Sequence, residues 1–309
     1  MHPVFPVVIF CYNRPVHLKQ TLTALLQNDG SCETIVFVFS DGPKTLEDHD
    51  KVRAVREVLS NVKGFKKFTV FEQEINKGLA ASVIDGVSRV LREYPACIVL
   101  EDDLLTSTYF LRYMNEALLY YKEDARIFTV SGYSPPLSLP PDYTLPSFLF
   151  PRINAWGWGT WRDRWELVDW RVVDFFDFIG SKTQRRLLSQ QGEDLPVMLL
   201  KQQEGCLSSW AVRFNQSCFK SGRTNVYPRA SLVANIGADG SGRHMKASRK
   251  FQSPMSSYYL SPYPAESNNE IALQFRQFYR PSWHRRLRNR LKIEWYLCRR
   301  EGFKILGIK

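Results

Sequence analysis

The triplet Glu101-Asp102-Asp103 directly follows the apolar run Ala96 to Leu100, so three carboxylates stand where a buried strand would end. Unpaired carboxylates in such a place lose hydration and repel one another. A divalent cation relieves both costs, and oxygen ligands with no His or Cys cluster nearby favour a hard ion, Mn²⁺ or Mg²⁺, which would also neutralise phosphate. The plainer alternative is a solvated strand end whose charges pair with Lys or Arg. Three more polar groups stand in comparable places: Asn13-Arg14-Pro15, Ser40-Asp41-Gly42 and Asn76-Lys77-Gly78. Arg14 offers a fork to a phosphate or a base carbonyl, and Asp41 offers a carboxylate that accepts from a ring N–H. Lys77 brings a charge beside the free N–H groups of a helix start. Each of these groups equally suits a turn or a plain helix start.

The elements that position these groups follow from periodicity. Val7 to Cys11, Thr34 to Phe39, Phe68 to Glu72 and Ala96 to Leu100 have the composition of strands, separated by helical patterns over Val16 to Gln27, Lys51 to Asn61 and Gly78 to Glu93. Strands alternating with helices imply right-handed crossovers and a mostly parallel twisted sheet covered on both faces, an α/β fold. Ligands of such sheets bind at the carboxyl ends of the strands, where all four polar groups fall. Farther on, a helix is predicted over Thr108 to Tyr121, a strand over Phe128 to Ser131 and a Pro-rich loop from Pro135 to Pro146. A Trp- and Gly-dense stretch follows from Phe150 to Ile179, then a helix over Ser209 to Ser221 and a Gly-rich loop from Asn235 to His244.

With 309 residues, 44% of them hydrophobic and eight of them Trp, the chain can bury a full core, which excludes disorder as the default. Six cysteines lie far apart without a CxxC pair, which suits reduced thiols in a cytoplasmic protein rather than a disulfide scaffold. No window approaches the roughly 20 apolar residues that cross a bilayer. Of the net +11, a local +7 falls within Pro281 to Lys309, where nine Lys or Arg face two Glu. There Trp283, Leu287, Leu291, Ile293, Trp295 and Leu297 interleave with basic residues, the pattern of an amphipathic helix lying on a membrane surface. A helix packed on the domain with a solvated charged face is the alternative. Nucleic acid is not expected as a partner, because no such motif accompanies the charge.

The order CYNRP, FSDG, NKGL, VLEDDL resembles glycosyltransferases of the GT-A fold, in particular the β-1,2-N-acetylglucosaminyltransferase I family and its bacterial family-2-like relatives. The resemblance spans roughly Val4 to His244. It implies a metal-dependent transfer of a sugar from a nucleotide-sugar, a UDP-sugar, to a glycan or lipid-linked glycan acceptor in surface polysaccharide or glycoconjugate synthesis. It places Arg14 and Asp41 on the uracil ring, Lys77 near the diphosphate, Asp103 on Mn²⁺ (or Mg²⁺), and Glu101 and Asp102 toward the ribose or sugar. PRINAWGWGTW, with Trp158, resembles a loop that shapes the sugar pocket, although its tryptophans equally suit a core. NIGADGSGRH resembles a loop that closes over the donor, bringing His244 to the diphosphate. The match departs where inverting relatives carry a WDDW-like stretch with the general base, since this chain has Leu207-Ser208-Ser209-Trp210. A serine hydroxyl, neutral at ordinary pH, is too weak a base to take that proton, so the match is shifted there, a nearby carboxylate such as Glu204 or Asp239 serves, or the protein binds donor and catalyses poorly. The implied division is a catalytic domain over 1–260, with 1–105 binding nucleotide and 106–260 binding sugar and acceptor, and a basic tail over 261–309, at the inner face of the cell membrane. A sugar-1-phosphate nucleotidyltransferase and a non-catalytic sugar-nucleotide-binding or scaffold protein are the rival readings.

Overall fold

The computed structural model describes residues 4–240 and 249–305. The first half is built from β1 (Val7–Cys11), α1 (Pro15–Leu26), β2 (Ile35–Ser40), α2 (Asp48–Ser60), β3 (Lys67–Glu72), α3 (Leu79–Glu93) and β4 (Ala96–Glu101). β1 lies between β2 and β4, parallel to both, and β3 extends the sheet beyond β2. Alternation along β1 explains its burial on both faces: Val7, Ile9 and Cys11 join one core with Leu18, Leu22 and Leu25 of α1, while Val8 and Phe10 join another with Val83 and Val87 of α3. Strands buried on both sides read as continuous apolar runs, as these do.

The chain continues through β5 (Leu104–Thr106), α4 (Phe110–Tyr120), β6 (Ile127–Ser131), β7 (Ser147–Phe150), β8 (Trp158–Trp161), α5 (Arg162–Glu166), α6 (Phe175–Gly180), α7 (Lys182–Ser189) and α8 (Leu195–Gln203). It ends with α9 (Trp210–Lys220), β9 (Thr224–Pro228), β10 (Val233–Asn235), β11 (Ala265–Glu266), α10 (Asn269–Phe278) and α11 (Trp283–Ile305). The nine-stranded sheet has the order β11-β7-β9-β6-β8-β4-β1-β2-β3. β8 runs antiparallel to both β4 and β6, and β7 antiparallel to β9, so the mostly parallel sheet carries reversed strands in its second half. β5 and β10 form a separate antiparallel ribbon.

Residues 261–280 do not begin a tail as expected. β11 pairs with β7, and α10 lays Phe275 on Phe150 at 4.0 Å between ring centroids, within a cluster that includes Phe148 and Tyr227. Pairing between segments so far apart in sequence leaves no local signal. α11 also docks, burying Ile293 against the cluster that contains Val172, Phe175 and Leu199.

One buried ion pair ties this half together. Arg152, just past β7, forms a double hydrogen bond of 2.8 and 2.9 Å with Asp194 at the start of α8, and its guanidinium covers the Tyr279 ring at 3.9 Å. Removing one partner of a buried pair leaves the other charge uncompensated. Asp194→Ala is expected to lower stability by about 3–5 kcal/mol, read from urea midpoints, and Asp194→Asn by less because the amide oxygen still accepts from Arg152.

Candidate active site

Tyr12, Asn13 and Arg14 carry the chain from β1 into α1, which opens on Pro15, a residue whose fixed φ suits a first helical position. The turn is held on both sides. Tyr12 N–H donates to Asp102 Oδ2 at 3.1 Å, and Asn13 Nδ2 donates to Asp48 Oδ1 at 2.7 Å. Arg14 is thereby aimed at Asp103, with Nη1 to Oδ2 at 2.7 Å and side-chain exposures of 17% and 14%.

The β5–β10 ribbon lays the next segment across this pair. Ile236 N–H donates to the Asp103 carbonyl at 2.9 Å, Asn235 Nδ2 stands 3.4 Å from Asp103 Oδ1, and Gly237 N–H donates to Asn235 Oδ1 at 2.9 Å. A Cβ on Gly237 would fall 1.9 Å from Asp103 Oδ2 and 2.6 Å from Arg14 Nη1, so the backbone reaches the pair only as glycine. Asp239 then meets His17 of α1, Oδ2 to Nε2, at 3.1 Å. His17 sits three residues after Arg14, on the same helix face.

Three carboxyl groups thus share one guanidinium. Burial first, then Asp103 and Asp102, push Glu101 well above the usual carboxylate range. Burial and Asp103 push Asp102 up to about 7, with Arg14 opposing. Burial raises Asp103 too, against the pull of Arg14 and His17. The donors are oxygens only, and their mutual repulsion is the cost a hard divalent cation removes, so the residues fit Mn²⁺ or Mg²⁺. Among the described residues no three His, Cys, Asp or Glu side chains form a ready-made cage. An ion here would therefore complete its shell from phosphate and water, as Mg²⁺ commonly does.

The other expected site residues have varied surroundings. Asp41 is buried, and its carboxylate accepts from Gly42 N–H and Lys77 N–H on Oδ1, at 3.0 and 2.8 Å, and from Gly78 N–H on Oδ2 at 2.9 Å. It ties the end of β2 to the start of α3, an occupation that composition did not reveal. Lys77 Nζ pairs with Asp85 of α3 at 3.0 Å. Trp158 is corrected from sugar contact to core: it is 1% exposed, stacked on Trp210 at 4.9 Å and on Trp165 at 6.0 Å. Glu204 is not brought to this cluster, because Lys292 of α11 holds its carboxylate at 2.6 Å. His244 lies outside the described residues. Ser209, in the stretch expected to hold a base, caps α9 by accepting from Val212 N–H at 3.3 Å, and Ser208 lines a groove of about 790 Å³ beside α3 with Trp170 and Arg213. Sequence reasoning missed His17, Asn235 and Gly237 as neighbours of Asp103. The three-residue step from Arg14 was the one signal for His17.

Two outcomes follow from this geometry. Because Asp102 titrates near 7 when folded and near 4 when unfolded, the folded chain holds the extra proton between those values. Stability of metal-free protein therefore falls as pH rises through that window. Melting temperatures of chelator-treated protein should show that decline, and Asp102→Asn should make it shallower, with Glu101 and Asp103 supplying the remainder; a wild-type profile no steeper than the variant's contradicts the assignment. Trp158→Ala should cost about 3–5 kcal/mol as a core truncation, whereas Trp158→Phe should retain ligand affinity in calorimetry.

No curated protein sequence matches the chain. Among solved structures, S. aureus TarS 1-349 is 10% identical at a TM-score of 0.41, over 75% of this chain and 60% of that one. The chain thus spans 60% of that protein fragment's length. The galactosyltransferase LgtC, solved with donor and acceptor sugar analogues, is 10% identical at 0.38, over 71% of this chain and 72% of that one. Mouse xyloside xylosyltransferase 1 is 9% identical at 0.35, over 70% and 81%. Residues 7–163, just over half of the chain and the part that carries β1 to β4 and the acidic triplet, match the family described as glycosyl transferase family 2, and the chain belongs to that family of GT-A-fold glycosyltransferases.

Proposed function

We propose that the protein transfers a sugar from a nucleotide-sugar donor, a UDP-sugar, to a glycan acceptor, with residues 1–105 holding the nucleotide and residues 106–260 the sugar and acceptor. The observation that carries this reading is the largely buried Glu101-Asp102-Asp103 cluster, short of positive charge, opposite Arg14 in a chain of this family. Asp103 would hold the divalent ion, with Glu101 and Asp102 raising the negative potential around it. Once bound, that ion supplies Lewis-acid stabilisation of the leaving diphosphate.

The chain's own groups have separate tasks. Arg14 is placed to turn from Asp103 to a phosphate or the base, since a guanidinium fork suits either acceptor. Asp41, through its three backbone donors, fixes the start of α3, with Lys77, against the end of β2 beside the nucleotide. The acceptor hydroxyl attacks the anomeric carbon directly, the bond to the diphosphate breaks, and the hydroxyl proton passes to a carboxylate. Asp239 is that base in this reading, because it follows two residues after Gly237, which packs on the Arg14–Asp103 pair, and its carboxylate meets His17. Glu204 is committed to Lys292. A lipid-linked glycan acceptor, met at the inner face of the cell membrane, fits the basic C-terminal segment. Among the described residues no helix is long and apolar enough to cross a membrane.

The test is a thermal-shift panel of UDP, GDP, CMP and dTDP, each with and without Mn²⁺, followed by turnover of UDP-sugars. Ligand at about 100 times its dissociation constant adds about 2.7 kcal/mol of stability. Selective stabilisation by UDP with Mn²⁺, abolished in Asp103→Ala, is the expected result, and Asp239→Asn should bind donor normally while losing turnover by at least about 10²-fold. No shift with any nucleotide would refute the donor site, and donor binding without turnover would leave a sugar-nucleotide-binding protein.

A further inference from the structure

α11 has two working faces. Ile293, Tyr296 and Leu297 pack into the core cluster, and the pairs Arg286–Glu193 at 2.5 Å and Lys292–Glu204 at 2.6 Å pin the helix in place. On the other side stand Trp283, Leu287, Leu291 and Trp295, which are 64, 51, 60 and 57% exposed. Their four-residue spacing makes one stripe. At about 100° per residue the stripe covers roughly 120° of the helix surface, and its middle lies roughly 150° from the docked face. Arg288, Arg290 and Arg299 fall within roughly 40° of its two edges on the same geometry. The Arg299 guanidinium already covers the Trp295 ring at 5.3 Å. Glu294, the one acidic residue between Trp283 and Arg300, is paired with Arg185 at 3.4 Å.

We infer that this stripe is an interfacial membrane face: Trp283, Leu287, Leu291 and Trp295 enter the headgroup and acyl boundary of an anionic phospholipid surface, and the flanking arginines bind its phosphates. The inference rests on the reading of a protein that works at a membrane, and assigns the surface that does so. Charge complementarity selects the occupant. A second copy on the same stripe would bring Arg288, Arg290 and Arg299 against their own equivalents, whereas anionic headgroups neutralise them. Long basic side chains beside an apolar stripe are suited to bury their stems while the charged heads reach phosphate. Because the opposite face is already docked, binding requires no refolding of the helix, and the catalytic domain is carried to the surface in a fixed orientation.

The experiment is co-sedimentation of the 309-residue chain with vesicles of phosphatidylcholine alone and of phosphatidylcholine mixed with phosphatidylglycerol. Two variants accompany it: Trp283→Ser with Leu287→Asn, Leu291→Asn and Trp295→Ser, and Arg288→Glu with Arg290→Glu and Arg299→Glu. All the substituted side chains are exposed, so melting temperatures and the UDP shift should stay unchanged, which keeps the donor reading separate. Wild type is expected to bind the anionic vesicles with a blue shift of Trp fluorescence, and each variant to lose roughly tenfold or more in affinity. Wild-type binding that both variants retain would overturn the stripe while leaving the membrane reading intact. No binding of wild type to anionic vesicles would overturn both. A lipid-free dimer dissolved by the apolar variant would assign the stripe to a second copy instead and overturn the proposal.

Discussion

The arrangement at the end of β4 depends on a single electrostatic problem: three adjacent carboxyl groups emerge from a buried strand and meet one guanidinium. Removing such charges from water costs several kcal/mol each unless partners are supplied, and the surroundings can be understood as the supply. α1 delivers Arg14 and His17 from one side, the Tyr12 amide reaches Asp102, and the β5–β10 ribbon brings Asn235 over Asp103. The supply falls short. Glu101, Asp102 and Asp103 are all held above their ordinary pKa, so the site is poised for added positive charge.

That poise requires a rigid platform, and the aromatic content provides it. Trp158 stacks on Trp165 and Trp210, and Phe214 tilts against Trp158 and Trp210, in one aromatic block under the middle of the sheet with ring separations of 4.9 to 6.0 Å. Such packing leaves β4 and β8 little freedom to splay, and an active site built on strands keeps the precision of those strands. The tryptophans thus act on the cluster at the end of β4 through the backbone they fix.

How much of this was legible in the sequence depended on the range of the determining interaction. β1 to β4 and their helices were readable to within a few residues, because alternation and helical spacing are local. Arg14 and Asp103 were readable as strand-end groups, since a parallel sheet gathers such groups at one edge. Residues 261–280 were not, because β11 finds β7 across more than a hundred residues and nothing in Ala265-Glu266 announces a strand. The pairing of Glu204 was hidden for the same reason, its partner Lys292 lying on a helix that composition alone described as a tail. Trp158 failed differently: an aromatic has the same signature whether it faces a sugar or a core.

The polar residues divide by how completely the backbone uses them. Asp41 accepts three main-chain N–H bonds, and Ser209 accepts one at the first turn of α9. Both are explained by the need of loop ends and helix starts for acceptors. The Ser209 hydroxyl, in the stretch where a base was expected, is thus occupied as a helix cap. The triplet is different in kind. Asp102 accepts from one backbone amide, and Asp103 relies on Arg14 and Asn235. A buried charge that folding leaves short of donors costs stability unless something else uses it, and that imbalance, more than the presence of carboxylates at a strand end, distinguishes a binding site from a well-made turn.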